Sequence, residues 1–271
     1  MPASRARLGA GSANRLLTTA LALPPLKDDH VATYTSAQDS GSLVQTAMQA
    51  VTKHIHDNAM RVGDTLPGEG HFAETLGVSR AVMREAFGAL AALKLIDVGN
   101  GRKPRVGRLD GSVIATSMQH AISTAQITVP EIWDVRRTIE QRTAALAATA
   151  RTEEQAARIM ALAEAMAADK DDLAKRTTHD IAFHNAIAEA SHNALFIQIV
   201  ASFAPLMEVA VPTAWRTRVA SKQKQVMIDR HRAVALAIRD RDAEGAAAAM
   251  ALHFDDAIGD LLKAEAGIVG D

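Results

Sequence analysis

The chain has no cysteine, so a disulfide framework and thiolate metal sites are both excluded. Aromatic residues amount to only 3%, and no apolar run approaches the roughly 18 residues that cross a bilayer. Charge of one sign is missing too. Its 30 Lys and Arg stand against 31 Asp and Glu, for a formal net charge of −1, which rules out a uniformly basic coat but leaves room for local patches. Pro and Gly are few and gather near the expected ends of elements. What fills the sequence is Ala with Leu, Ile, Val and Met. At 48% hydrophobic, that composition favours a mainly α protein. A length of 271 residues suits two domains, each with a core of its own.

Residues 1–40 show no sustained periodicity and are rich in Ala, Ser, Thr and Pro, the signature of a disordered tail. Arg5, Arg7, Arg15 and Lys27, with the apolar stretch Leu16–Leu23, give this segment a mild likeness to a targeting peptide. A solvated tail, or a start placed too far upstream, is the preferred reading. Periodicity begins near Ser42, where Leu43, Ala47, Val51 and Ile55 share one helical face. The turn around Arg61–Asp64 and the Leu66-Pro67 pair follow.

The densest information lies between Leu76 and Val98. A short helix over Glu69–Leu76 should stop at Gly77, and Ser79 should cap the next, Ser79–Leu93. Arg80 and Arg84, four residues apart, project from one face; Val82, Ala86, Leu90 and Leu93 are expected to pack inward from another. Leu95–Val98 and Arg105–Gly107 read as two small strands joined by Gly99-Asn100-Gly101-Arg102-Lys103-Pro104, with Pro104 restricting the second to an edge. From Ser79 to Arg108 seven basic residues face two acidic ones, a net +5 inside a nearly neutral chain. Helix, tight turn, basic helix and basic hairpin together match a winged helix-turn-helix, an architecture that enters the DNA major groove. A double-stranded DNA partner follows, and with it an expected cytoplasmic location.

Beyond Asp110 the pattern changes to long helices without a convincing strand. Pro130 suits the first turn of a helix ending near Ala150, and Thr152 marks the next start. Further helices are expected over roughly 171–190, 194–211, 220–239 and 242–265, with Pro205 as a kink and Pro212 as a stop. This predicts a bundle of six or seven helices.

Within it, Asp180 and His184 stand at i and i+4, so a carboxylate and an imidazole face the same way. His231 and His253, each among small and apolar residues, lie where they could meet that pair. Three His and one Asp suit a divalent metal such as Zn²⁺ or Ni²⁺, with Mn²⁺ a third choice. The plainer alternative is that each His is a hydrogen-bonded core residue. Arg136 and Arg137 open a separate argument. A buried guanidinium binds a carboxylate in two-pronged fashion, while paired with Glu140 or Glu131 both arginines would be surface residues.

Taken in order, TLPGEGHFAETLGVSRAVMREAFGALAALKLIDV, VRRTIEQRTAALAA, DIAFHNAIAEASHN and DRHRAVALAIRDRDAEGAAAAMALHF resemble the GntR transcription factors of the FadR-like subfamily over about residues 42–265. The resemblance implies a winged helix-turn-helix DNA-binding domain at 41–108. It also implies an all-α FCD domain at 109–271 for effector binding, metal binding and dimerisation. The family's metal positions fall on Asp180, His184, His231 and His253. Its DNA contacts fall on Arg80 and Arg84, with Ser79, Arg102, Lys103 and Arg105 as further candidates. Arg136 is where the family places an arginine facing the ligand, and Asn193, Trp215, Arg216 and Arg218 are candidate pocket walls. One position departs. Where the family usually carries an arginine that contacts DNA, this chain has Gly70.

The functional expectation is a homodimeric repressor released from a palindromic operator by a small carboxylate, a hydroxy acid or sugar acid, bound at the metal. A regulator answering to the metal alone is the alternative. A metalloenzyme would need a general base that no motif supplies and would leave the winged half unexplained.

Overall fold

The computed structural model describes residues 43–216 and 221–265. The tail expected at 1–40 and the candidate Arg218 lie outside them. Within the described residues the chain forms α1 (Leu43–Asp57), α2 (Glu69–Leu76), α3 (Arg80–Ala92), β1 (Ile96–Asp97) and β2 (Arg105–Val106). There follow α4 (Ser112–Ser123), α5 (Val129–Ala150), α6 (Glu153–Ala168), α7 (Leu173–Ala190), α8 (Ala194–Ser202), α9 (Ala204–Arg216), α10 (Ser221–Arg239) and α11 (Ala243–Glu265).

Two hydrophobic cores result. The first joins Val51 of α1 and Phe72 of α2 to Met83, Phe87 and Leu90 of α3 and to Ile96 of β1. The buried face of α3 differs from the expected one. Leu93 caps the helix with its side chain exposed and Val82 is only half-buried, while Met83 and Phe87 take the interior. The larger rings decide the phase, since Phe87 packs on Phe72 with centroids 5.9 Å apart. Strands β1 and β2 pair antiparallel, Ile96 opposite Val106 and Asp97 opposite Arg105. In this two-stranded sheet β2 is an edge strand, as expected from Pro104, with one isolated bridge joining Thr65 to Arg105. Pro104 stands just before the strand, where its missing N–H costs nothing and its carbonyl accepts from Leu66 N at 2.8 Å.

The second core belongs to the later helices, of which the described residues hold eight rather than six or seven. Trp133, Ile159, Met166, Phe183, Trp215, Val234 and Phe254 meet there. Helix α5 opens on a capping box, with Thr128 accepting from Glu131 N and the Glu131 carboxylate accepting from Thr128 N. α6 repeats the device with Thr152 and Gln155. The expected kinked helix over 194–211 is two helices, α8 and α9, bent by 53° at the break. Pro205 falls in the first turn of α9, where proline is tolerated, and Pro212 lies inside α9 without ending it. The burial of Val211, Ala214 and Trp215 on either side of Pro212 offsets the lost backbone hydrogen bond. α4 was not predicted as an element of its own; its apolar face is short, with Ala115 the one buried residue. No single described helix is long and apolar enough to cross a membrane.

The C-terminal ends of α5 and α10 cap each other. Buried Arg151, just past α5, donates to Ile238 O at 3.3 Å and to Arg239 O at the end of α10. Arg241, just past α10, donates to Thr149 O at 3.3 Å and Arg151 O at 3.4 Å at the end of α5. Cations thereby sit on both sets of orphan carbonyls.

Candidate functional site

The first half of the site is an exposed basic surface. Gly77 takes φ +65°, the left-handed conformation that ends α2. Two residues later the Ser79 hydroxyl accepts from Val82 N at 3.3 Å and starts α3. Arg80 and Arg84 then stand on the outer face, both exposed, with Arg84 Nε 3.9 Å from Glu69 Oε2. In the wing, Arg102 and Lys103 are exposed, and Arg102 lies 3.8 Å from Asp97. Arg105 is partly committed elsewhere, its Nη1 donating to Gly63 O at 2.8 Å. Gly70 sits exposed in the first turn of α2, and a side chain there would meet nothing within 4 Å.

The second half is buried. Asp180 and His184 of α7, His231 of α10 and His253 of α11 are all buried, and one ring nitrogen from each His lies within 4.8 Å of the other two. His231 Nδ1 donates to Met227 O at 2.8 Å, which leaves Nε2 facing Asp180 Oδ1 at 3.1 Å. Two acceptors at that separation need a positive centre, a proton or a metal ion, to share. His184 Nδ1 is hydrogen-bonded to Glu140 of α5, which directs its Nε2 to a ligand role. His253 Nδ1 is buried with no hydrogen-bond partner.

Electrostatics agree with the geometry. Burial disfavours charge on Asp180, but the His231 hydrogen bond and the nearby imidazoles outweigh it and hold the carboxyl well below its ordinary range. Burial, then His231 and His184, pushes His253 well below the ordinary imidazole range, so it is neutral with a lone pair to give. Burial likewise opposes charge on Glu140, yet Arg136 and His184 keep its pKa low. An orphaned imidazole nitrogen, neutral His and an ionised Asp are the donor set a divalent cation takes. The residues present fit that group.

Arg136 adjoins this cluster. It is 3% exposed, donates through Nε to Glu140 Oε1 at 2.8 Å, touches Met207 Sδ, and lies over the Trp133 and Phe254 rings. Arg137 turns outward and pairs with Asp255 at 2.7 Å. A cavity of about 30 Å³ opens among Arg136, Arg176, Asp180, His184 and His253. A larger groove of about 430 Å³ between α4, α5 and α9 has no titratable side chain, so the chemistry belongs to the smaller space. Asn193 is not a pocket wall: it is exposed, and its Oδ1 accepts from Leu195 N and Phe196 N to cap α8. Trp215 is buried against Arg176, and Arg216 is exposed at the end of α9.

Sequence reasoning passed over Arg176 and took Glu140 only as a surface partner of the arginines. Both carried a signal. Glu140 is four residues after Arg136, and Arg176 is four before Asp180, in phase with His184.

Comparison with known proteins places these two halves. Residues 43–106 match the gntR family of bacterial regulatory proteins and residues 131–256 match the FCD domain. The chain is 31% identical over 196 residues to the Glc operon transcriptional activator of Escherichia coli K12, covering 70% of this chain and 77% of that protein. The chain belongs to the GntR family. Its members similar to this chain include the HTH-type transcriptional regulator LutR of Bacillus subtilis 168, 27% identical over 77% of this chain and 96% of that protein. They also include the galactonate operon transcriptional repressor of E. coli K12, 26% identical over 56% of this chain and 69% of the repressor. Among solved structures a Streptococcus agalactiae GntR protein shares the fold, with a TM-score of 0.60 at 22% identity over 80% of this chain and 99% of that one. This GntR protein is therefore a DNA-binding transcriptional regulator with an FCD domain.

Proposed function

We propose that this GntR regulator is a homodimeric repressor whose FCD domain holds a divalent metal, Zn²⁺ before Ni²⁺ or Mn²⁺, and releases its operator when a small hydroxy acid or sugar acid binds there. The observation that carries the reading is the buried group of three imidazoles within 4.8 Å beside ionised Asp180, next to a buried arginine. His184, His231, His253 and Asp180 would hold the ion. When bound, it supplies a Lewis-acid centre that accepts a carboxylate oxygen. Arg136 supplies N–H donors for the same ligand, and Glu140 orients both Arg136 and His184. The names of relatives support the ligand class, since they include regulators of an L-lactate dehydrogenase operon and a galactonate operon.

For DNA, Arg80 and Arg84 would read base edges or adjoining phosphates while Arg102 and Lys103 hold the backbone. Arg105 contributes charge from a fixed position, and the α3 N-terminus capped by Ser79 offers N–H groups to a phosphate. A two-fold dimer would set two α3 helices in successive major grooves of a palindrome. A ligand acts on that equilibrium only if it binds one arrangement better than the other.

The test is an operator gel shift with metal-loaded and chelated protein across a carboxylate library, paired with thermal shifts. Ligand at a hundred times its Kd adds about 2.7 kcal/mol of stability. Metal-dependent operator release by one acid is the expected outcome. Release by metal alone would replace the acid with the ion as signal, and tighter operator binding with the acid would reverse the sign of regulation.

A further inference from the structure

The cavity beside the imidazoles holds a second arginine. Arg176 of α7 is 1% exposed and lines the same space as Arg136 of α5, Asp180, His184 and His253. Its guanidinium carbon lies 3.1 Å from the centroid of the Trp215 ring. A guanidinium covered on its face by an indole presents its N–H groups edge-on, in the plane that a carboxylate uses for paired hydrogen bonds.

Charge sets the class of ligand. Arg136 and Arg176 balance ionised Glu140 and Asp180, all buried in one small volume. A divalent ion at the imidazoles adds two positive charges there, and burying net charge without compensation is costly. A monocarboxylate compensates one of them. A dicarboxylate compensates both, and its second carboxylate meets Arg176.

We propose that Arg176 is a specificity-determining residue and that the cavity selects a short dianionic carboxylate over a monocarboxylate of the same size. This rests on the metal-and-carboxylate reading above and narrows it. At about 30 Å³ the cavity holds little more than a water as it stands, so a ligand enters only by displacing its walls, which favours a short one. Two arginines on different helices fix both ends of it, while the imidazole side takes the end nearest the ion.

Lactate and hydroxymalonate form a matched pair, differing only by a methyl group in place of the second carboxylate. Isothermal titration of metal-loaded full-length protein with each is the experiment. Hydroxymalonate should bind at least about tenfold tighter, the scale of one charge-assisted hydrogen-bonded contact. R176Q should lose the preference, the ratio of hydroxymalonate to lactate affinity falling toward one; R176K, which keeps the charge, should retain part of it. Circular dichroism checks that each variant folds, and the parent's own ligand ratio stands whether or not they do. Equal affinity for both acids in the parent overturns the proposal and leaves the metal-and-carboxylate reading intact. Binding of neither acid to metal-loaded protein overturns both.

Discussion

The two cores treat charge in opposite ways. Around α3 the arginines are exposed and the buried residues are apolar throughout, Val51, Phe72, Met83, Phe87 and Leu90 among them. Among α5, α7, α10 and α11, Arg136, Arg176, Glu140, Asp180 and three His are buried together. A surface that meets polyanionic DNA needs hydrated, movable cations, because its affinity comes from counterion release and is regained at every encounter. A pocket for a small ligand needs fixed charges in a low dielectric, where each is worth more and discriminates more. The cost of the second arrangement is that every buried charge must have company. Glu140 provides much of it, serving Arg136 with one oxygen and His184 with the other.

The contrast is sharpest at Glu140, and breaking it there should have the largest effect. Glu140→Gln removes the counter-charge of Arg136 and the acceptor that orients His184. Metal affinity should fall about 10- to 100-fold, and folding stability by on the order of 3 kcal/mol. Competition with a chromophoric chelator and a denaturant melt measure the two; operator affinity of protein that remains folded should stay unchanged. Next comes the exposed half. Arg84→Ala should cost about 1–3 kcal/mol of operator affinity and leave the metal titration untouched. Gly70→Arg works in the other direction. The position is open, so the substitution should fold normally and steepen the salt dependence of operator binding by about one counterion, read by fluorescence anisotropy at several salt concentrations. The smallest effect belongs to Ser79→Ala, which removes the α3 cap and should cost about 1 kcal/mol of stability by chemical denaturation.

Much of this architecture was legible in the sequence because its signals are local. Gly77, Ser79, Pro130 and Thr152 mark helix ends by local chemistry that acts within three or four residues, and the structure ends or starts helices beside each of them. Phase on α3 was harder. Val82 and Met83 both satisfy an apolar period, and the packing of Phe72 on Phe87, from two separate helices, decides between them. Pro212 misled for a related reason: its local cost is real, but the burial of its neighbours is tertiary. Among the site residues, Asp180 and His184 declared themselves by spacing, while His231 and His253 needed the family pattern to join them. Asn193 is the instructive miss. As a residue placed just before an apolar run it had an ordinary role in view, that of a helix cap, and that is the role it has.

The exchange of arginines between the ends of α5 and α10 gives the FCD domain a fixed point. Arg151 and Arg241 tie the two C-termini together, which fixes the end of α5 near residue 151. Arg136 lies 15 residues, about 22 Å, from that point, and Val129 lies 22 residues, about 33 Å, from it. For a rigid helix the geometry multiplies displacement by about 1.5. On that geometry a pull of 1 Å at Arg136 would move the start of α5, the end that leads back to α4, by about 1.5 Å. The gain is set by where along the helix the arginine sits. Moving that arginine one turn toward the fixed point would give the same pull a longer throw.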